Sequence, residues 1–581
     1  MTDLVRIRRL GLISGGVMSF IAGIGMVEKF NQRLLIAPFV TMGYLVLLAI
    51  PVTIGYLVAR GEPNPLKEPD RDPRGGALGG LVAGLMAGVI VALYTALVST
   101  VDLTEFFPNM RRTMVEHLTF NLGVPTGLIV LVIAAGLAGA LGGFVHGLSD
   151  RVRIGLAKAT GWALAFALFE AIVSSILDFA EPVLDVIYTP TSALQPWSAV
   201  IIAALAWWLS ERYQGRTSVF ATAVKDSEKG SRLRKIVLIA GILAVLILPL
   251  LLGRILNELV INISLFILMG LGLNIVVGYA GLLDLGYVAF FAVGAYGTAV
   301  LTSTLSPTID PQLSWWVALP IVLVLATIAG ILVGTPVIRM RGDYLAIVTL
   351  GFGEIVRILL LSDWLTPYFG GAQGIRRIPG IPVPPFGQIG GTKPQAFVYF
   401  LLAFVALAAY ISYRTQASRI GRAWAAMRED EDVAEAIGVN TVQAKLLAFV
   451  TGAIVASFAG ALFSAKVGTV FTNSFDVLVS IIILVVVIVG GMGSIPGVMM
   501  GAVVLIGVLG GPKSPGLLQE FSEFKLLIYG GLLVYMMLKR PEGLIPSVRR
   551  SRELHHEELS QDAWLDKAGQ ATGEASEEAA I

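Results

Sequence analysis

The chain contains no cysteine. That excludes disulfides, thiolate metal sites and cysteine nucleophiles. Histidine is scarce too: His117, His146, His555 and His556 are the only four, and no His-x-x-x-His spacing occurs, so no metal site is expected. Charge is thin. Charged residues make up 14% of the chain and the formal net charge is +2, which offers nucleic acid no basic surface. No Gly-x-x-x-x-Gly-Lys-[Ser/Thr] loop is present, so the chain has no phosphate cradle of that kind. Nothing in it points to an enzyme, and no cofactor is expected in this chain.

What is abundant is apolar. Hydrophobic residues are 56% of the 581 and mean hydropathy is +0.80. Apolar runs of about 18–25 residues recur, so an all-α polytopic membrane protein is expected, in contact with a lipid bilayer along about sixteen transmembrane helices. Six fall in residues 1–210, near 10–27, 34–58, 76–101, 123–148, 160–180 and 196–211. The first follows RIRR. It has the outline of a signal peptide without a convincing cleavage site, and reads as a retained helix. Basic residues in the 59–75 loop (Arg60, Lys67, Arg71, Arg74) and after 148 (Arg151, Arg153, Lys158) place those loops and the N-terminus in the cytoplasm. Gly76, Gly80, Gly84 and Gly88, then Gly139, Gly143 and Gly147, stand four apart on two helices. Such faces allow close helix contact; a pore lined by small residues is the alternative. Glu170 sits mid-span, protonated, paired or on a polar path. The role of this region is unknown. Residues 211–234, with Arg216, Lys225, Lys229, Arg232 and Arg234, read as a cytoplasmic linker. About ten further spans follow in 235–546. Residues 547–581 read as a disordered cytoplasmic tail.

The stretch Arg422–Lys445, RAWAAMREDEDVAEAIGVNTVQAK, is a polar island between apolar runs and must leave the hydrocarbon. Arg414, Arg419, Arg422 and Arg428 place it in the cytoplasm. Trp424 to Ile437 lacks Gly and Pro and reads as one short helix, ended by Gly438 and Asn440. A solvated connector is the plain interpretation.

Gly272–Ala299, GLNIVVGYAGLLDLGYVAFFAVGAYGTA, is an apolar run interrupted by Gly278, Gly281 and Gly286, with Asp284 and Tyr287 among them. Broken backbone at membrane depth needs protein or a water-filled cavity around it, and transporters place such breaks on the substrate route. A tight turn at the membrane surface is the alternative. Val489–Gly497, VGGMGSIPG, with Gly491 and Gly493, is a second break. Glu354 is eleven residues past Asp343, roughly 16 Å along a helix and near mid-bilayer. Arg357 lies three residues on, on the same face. The pair is either a neutralised packing element or part of a translocation route. Residues 362–394 form a Gly/Pro-rich loop on the side opposite the polar island.

These segments, in this order, resemble the LivM-type permeases of branched-chain amino acid ABC importers. The match runs through the Gly272–Ala299 segment, RMRGDYLAIVTLGFGEIVRILLL (Arg339–Leu361), FGGAQGI (Phe369–Ile375), GRAWAAMRED with AEAIGVN, VGGMGSIPG, and KRPEGLIP (Lys539–Pro546). It covers about 235–546 and leaves out the N-terminal third and the tail. It implies that the island is the loop that docks on an ATPase subunit, with Arg428, Ala434, Glu435, Ala436, Gly438 and Asn440 as its residues. The family pattern is Glu-Ala-Ala-x-x-x-Gly; here Ile437 and Gly438 follow Glu435-Ala436 directly. It implies a path built near Gly281, Asp284, Gly286, Tyr287, Glu354, Arg357, Gly491 and Gly493. The implied partners are a LivH-like permease, two LivG/LivF-like ATPases that use ATP and Mg, and an extracytoplasmic solute-binding protein. The implied location is a bacterial or archaeal plasma (inner) membrane, with both termini cytoplasmic. Related permeases carry urea, amides and other small solutes. An ion-coupled secondary transporter using Glu354, Glu170 or Asp284, and an assembly or sensor protein of permease-like fold, are the rival functions.

Overall fold

Helices dominate the computed structural model, which describes residues 2–38, 40–61, 73–177, 181–212, 229–306, 308–337, 340, 342–384, 387–512, 514 and 516–547. Lys67, Arg71, Arg216, Lys225, Arg339, Arg341, most of the basic linker and nearly all of the polar tail lie outside these. Nine helices among the described residues are long and apolar enough to cross a membrane, or ten if one bent pair counts as a span. The expected sixteen is not reached on that measure. Some apolar runs form helices too short for it, such as Val288–Thr302 and Ile495–Leu509. The chain divides into two compact units, Met1–Leu243 and Ala244–Ile581.

Unit 1 contains α1 (Thr2–Gly23), α2 (Met42–Arg60), α3 (Pro73–Thr100), α4 (Val124–Gly147), α5 (Asp150–Leu168), α6 (Glu170–Ile176) and α7 (Pro196–Arg212). The run at 34–58 does not start as a helix. Leu34–Ile36 and Val40–Thr41 form a small antiparallel pair, and Thr41 caps α2 through its hydroxyl. The core lies where α3 packs on α4. A Cβ on Gly80 would overlap the Gly139 carbonyl oxygen, and one on Gly139 the Gly80 carbonyl oxygen. Gly76 and Gly143 stand in the same relation. The glycine faces are a helix contact, in which van der Waals packing replaces the missing hydrophobic drive.

The run at 160–180 is bent rather than straight. α5 and α6 meet at 73°, and Glu170 is the first residue of the second helix. Arg33 Nη2 donates to the Leu168 carbonyl at 2.7 Å and Tyr188 Oη to the Phe166 carbonyl at 2.8 Å. These donors satisfy acceptors that the bend frees.

Unit 2 is built around α8 (Arg254–Leu273), whose residues from Ser264 to Leu273 are all buried. It packs on α12 (Pro394–Ala417), α15 (Thr441–Val467) and α17 (Ile495–Ala502). α9 (Val288–Thr302) and α10 (Trp315–Val337) pack on α15 as well. α11 (Asp343–Leu361), α16 (Val477–Gly490) and α18 (Lys525–Lys539) are further helices of this unit, and a helix over Lys229–Leu251, which begins in the stretch expected to be a linker, leads into it. Outward residues are large and apolar, among them Leu332, Ile347 and Leu538, as lipid-facing positions require. The 362–394 loop holds short strands: Ile375–Arg376 pairs with Thr469–Val470, and Ile381–Val383 pairs with Gly387–Ile389.

Candidate functional site

The polar island is two helices, not the single one expected over Trp424–Ile437. α13 spans Arg419–Glu429 and α14 spans Glu431–Ala436. The break is Asp430, extended at φ −156°, whose Oδ1 accepts from the Asp432 and Val433 amides at 2.9 and 3.0 Å. An aspartate at that position satisfies two of the amides a helix start leaves open. α14 ends as expected at Gly438, with φ +90°. Its amide reaches the Glu435 carbonyl and that of Val439 the Ala434 carbonyl, a left-handed cap. Asn440 then caps α15, accepting from the Gln443 amide at 3.0 Å.

The island is fixed to its own unit on one side. Trp424 is buried and its Nε1 donates to the Ala444 carbonyl at 2.7 Å. Ala434 is buried too, so its small side chain faces this unit and not an outside partner. Lys445 lies 2.6 Å from Glu431 Oε1, with 2% of its side chain exposed. The other side is open. Glu435, Ala436 and Gly438 are exposed, and so are the apolar side chains of Val433 and Ile437. A short helix with apolar side chains beside a carboxylate suits a groove in another protein.

Arg428 points the other way. Its Nη1 donates to the Gly278 carbonyl at 2.6 Å. Gly278 lies in a π-helical stretch, Asn274–Tyr279, that continues α8. A π-helical turn leaves carbonyls less regularly satisfied, and such turns often mark functional segments. Gly281 adopts φ +74° and lies against the Arg428 side chain; a Cβ there would stand 2.7 Å from Arg428 Cγ. The second break meets the first at the same point. Asn274 is fully buried, and its Oδ1 accepts from the Gly493 amide at 2.8 Å. The Lys539–Pro546 motif closes over Gly490 and Gly491: the Leu544 and Ile545 amides donate to the Val489 and Gly490 carbonyls. Gly278, Gly281, Gly491, Gly493 and Arg428 thus form one cluster behind the island.

Asp284, Gly286 and Tyr287 sit in the turn that follows. Asp284 is 1% exposed; Oδ1 accepts from the Gly286 amide at 2.9 Å, and Oδ2 has no hydrogen-bond partner. Thr349 of α11 receives the Leu285 amide, and a Cβ on Gly286 would overlap the Thr349 carbonyl oxygen. Tyr287 is buried and donates to the Gly452 carbonyl. Glu354 is separate from this cluster. It pairs with Arg357 of its own helix at 2.9 Å, both side chains 32% exposed. Asn274, Thr349 and Lys445 lie inside the stretches quoted from the sequence, but nothing there singles them out from their neighbours as the residues that make these contacts.

Residues 255–537 match the family model described as the branched-chain amino acid transport system / permease component. The chain is 41% identical over 329 residues to the Salmonella typhimurium (strain LT2) high-affinity branched-chain amino acid transport system permease protein LivM. That match covers 53% of this chain and 71% of that protein. It is 39% identical over 341 residues to the Escherichia coli (strain K12) LivM, covering 55% and 77%. The Salmonella typhimurium LivH permease is 33% identical over 156 residues, covering 26% and 48%. No solved structure matches the chain.

Proposed function

The chain belongs to the branched-chain amino acid transport permease family, and from that membership we propose that it is a permease subunit of an ATP-driven importer of leucine, isoleucine and valine. It forms half of the translocation path. A permease similar to it, of the kind its LivH match represents, supplies the other half. Two separate ATPases hydrolyse ATP, and a solute-binding protein delivers substrate on the side of the 362–394 loop. The core is 235–546. Residues 1–210 are an added membrane region, 211–234 its link to the core, and 547–581 a cytoplasmic tail.

The observation that carries this reading is the Arg428 bridge. Energy released in a partner subunit must cross a protein contact and then reach the membrane segments. The exposed edge of α14 supplies the contact. Arg428, on the adjoining helix, is hydrogen-bonded to Gly278 where α8 loses its regular winding. A displacement of the island is thereby transmitted to both Gly-rich breaks. Glu435→Lys reverses the charge at the exposed edge without touching the buried face. Cells relying on this transporter should lose labelled leucine uptake, with the chain still in the membrane fraction. Normal uptake by that variant would make the island a connector and remove the coupling mechanism.

A further inference from the structure

At the end of α15 remote from the island, unit 2 carries a second polar group that no motif covers. α15 runs 27 residues from Thr441 to Val467, about 40 Å at 1.5 Å per residue, so Lys466 stands a helix length from the coupling loop. Its Nζ lies 2.8 Å from Glu258 Oε2 and 3.4 Å from Asn262 Oδ1, both on α8. Lys466 and Asn262 border a cavity of about 270 Å³ whose other walls include Phe266, Met269, Phe291, Phe463 and Val479. Phe291 and Phe463 pack at 5.3 Å between centroids.

Lys466 and Asn262 stand in the wall of this apolar cavity, and Glu258 adjoins it through the ion pair with Lys466. Ligand sites are mostly apolar with a few placed polar groups, and ionised side chains within a membrane protein are functional candidates by default. The ligand that fits has a carboxylate and an ammonium on one end and an aliphatic body on the other. Its carboxylate takes Lys466, its ammonium takes Glu258, and the Asn262 amide serves either. One ion pair becomes two and the net charge stays zero, so a zwitterion is favoured over a simple acid or amine. At about 270 Å³ the cavity is large enough for a small aliphatic amino acid such as leucine.

We propose that this pocket binds a zwitterionic aliphatic α-amino acid on its way through the permease, an assignment that rests on the transport reading above. The pocket also sits on the helix that receives the coupling signal. Glu258, Asn262, Phe266 and Met269 belong to α8, whose π-helical continuation accepts the Arg428 hydrogen bond. Lys466 belongs to α15, so a shift of α8 against α15 separates the two charges that hold the ligand.

The test is equilibrium binding of radiolabelled L-leucine to the purified full-length chain, alongside leucine uptake by cells that rely on it. Wild-type binding should be competed by isoleucine and valine. It should not be competed by 2-hydroxy-4-methylpentanoate, which is leucine with a hydroxyl for its ammonium. Lys466→Met and Glu258→Gln should each weaken binding tenfold or more, and Glu258→Gln should let the hydroxy acid compete. Val479→Phe leaves the ion pair intact and fills the cavity, so it should turn the preference from leucine towards alanine, a change that a purely structural role would not produce. Unchanged leucine binding in all three variants, or uptake by wild-type cells without binding by the purified chain, overturns the pocket and leaves the transport reading standing. Wild-type cells that take up no leucine overturn that reading itself.

Discussion

In unit 1 the glycines stand four apart on α3 and α4 and let two unbroken helices touch. Unit 2 has such contacts too, with Gly294 of α9 against Ser457 of α15 and Gly460 of α15 against Phe291 of α9, but others of its glycines gather at 278–286 and 490–497, where helices stop, and polar groups take over: Asn274 on Gly493, Arg428 on Gly278, Thr349 on Leu285. The same residue type serves close helix contact in both units and interrupted backbone in unit 2. Spacing separates the two uses. An even fourth-place spacing keeps glycine on one helix face, whereas a cluster with Asn, Asp or Ser supplies positive φ and partners for exposed amides and carbonyls. A helix contact held by shape alone offers nothing for a distant signal to pull on. A unit held by hydrogen bonds across its breaks offers discrete contacts that can be made or lost.

The sharpest way to break this contrast is at Lys445. Its ammonium is buried against Glu431, and removing one partner of a buried ion pair costs about 3–5 kcal/mol. Lys445→Ala should release α14 from the unit. Limited proteolysis should then cut near Ala434–Gly438, and leucine uptake should fall to background. An uncut, active variant would show that the island is held by its apolar side alone. Arg428 comes next. A hydrogen bond to a charged group is worth about 1.5–3 kcal/mol, so Arg428→Ala should lower uptake roughly ten- to a hundredfold. Arg428→Lys, which keeps the charge, should recover part of it. Hydrogen exchange in 274–281 should rise in Arg428→Ala.

Unit 1 gives the counterpart. Gly80→Leu places a side chain on the Gly139 carbonyl, and overpacking typically costs about 1–3 kcal/mol. The thermal midpoint of a purified fragment 1–230 should drop with Gly80→Leu. A fragment without 1–230 should still assemble with its partners, because its stitches are internal to 244–581. Well-expressed 231–581 that fails to assemble would tie the two kinds of glycine use into one mechanism.

How much of this was legible in the sequence follows from the range of each contact. The helical membrane class, the helix stop at Gly438 and the close contact of the glycine faces all rest on local composition or spacing, and the sequence displays them. The split at Asp430 does not stand out, because it lies in the acidic run Glu429–Asp432 and any of those residues offers a capping oxygen. The helix start at Glu170 does not stand out either, because composition does not register the bend at Phe169. The inward face of Ala434 depends on the buried Lys445 pair. The meeting of the two breaks is less visible still. Asn274 and Gly493 are 219 residues apart, and nothing near either one says which distant amide the asparagine will accept. Lys466 and Glu258 are hidden for the same reason, since each looks like an ordinary charge near a helix end.

The smallest expected effect tests whether Gly438 acts by backbone or by space. Its φ is +90°, and a Cβ there would meet no atom within 4 Å. Crowding within this chain is therefore not the issue, unlike at Gly80. What a side chain meets is the conformation itself, which costs an ordinary L-residue roughly 1–2 kcal/mol and a β-branched one more. Asparagine tolerates that region best after glycine. Within the isolated chain, stability should fall in the order glycine, asparagine, alanine, valine, with the whole spread within about 2 kcal/mol. Uptake carries a second contribution if this edge meets an ATPase. Gly438→Asn should then lose uptake out of proportion to its small loss of stability, because the open space around the residue would be occupied by the partner. If uptake instead follows stability across all three variants, Gly438 shapes only the turn, and the docking surface is confined to Val433, Glu435, Ala436 and Ile437.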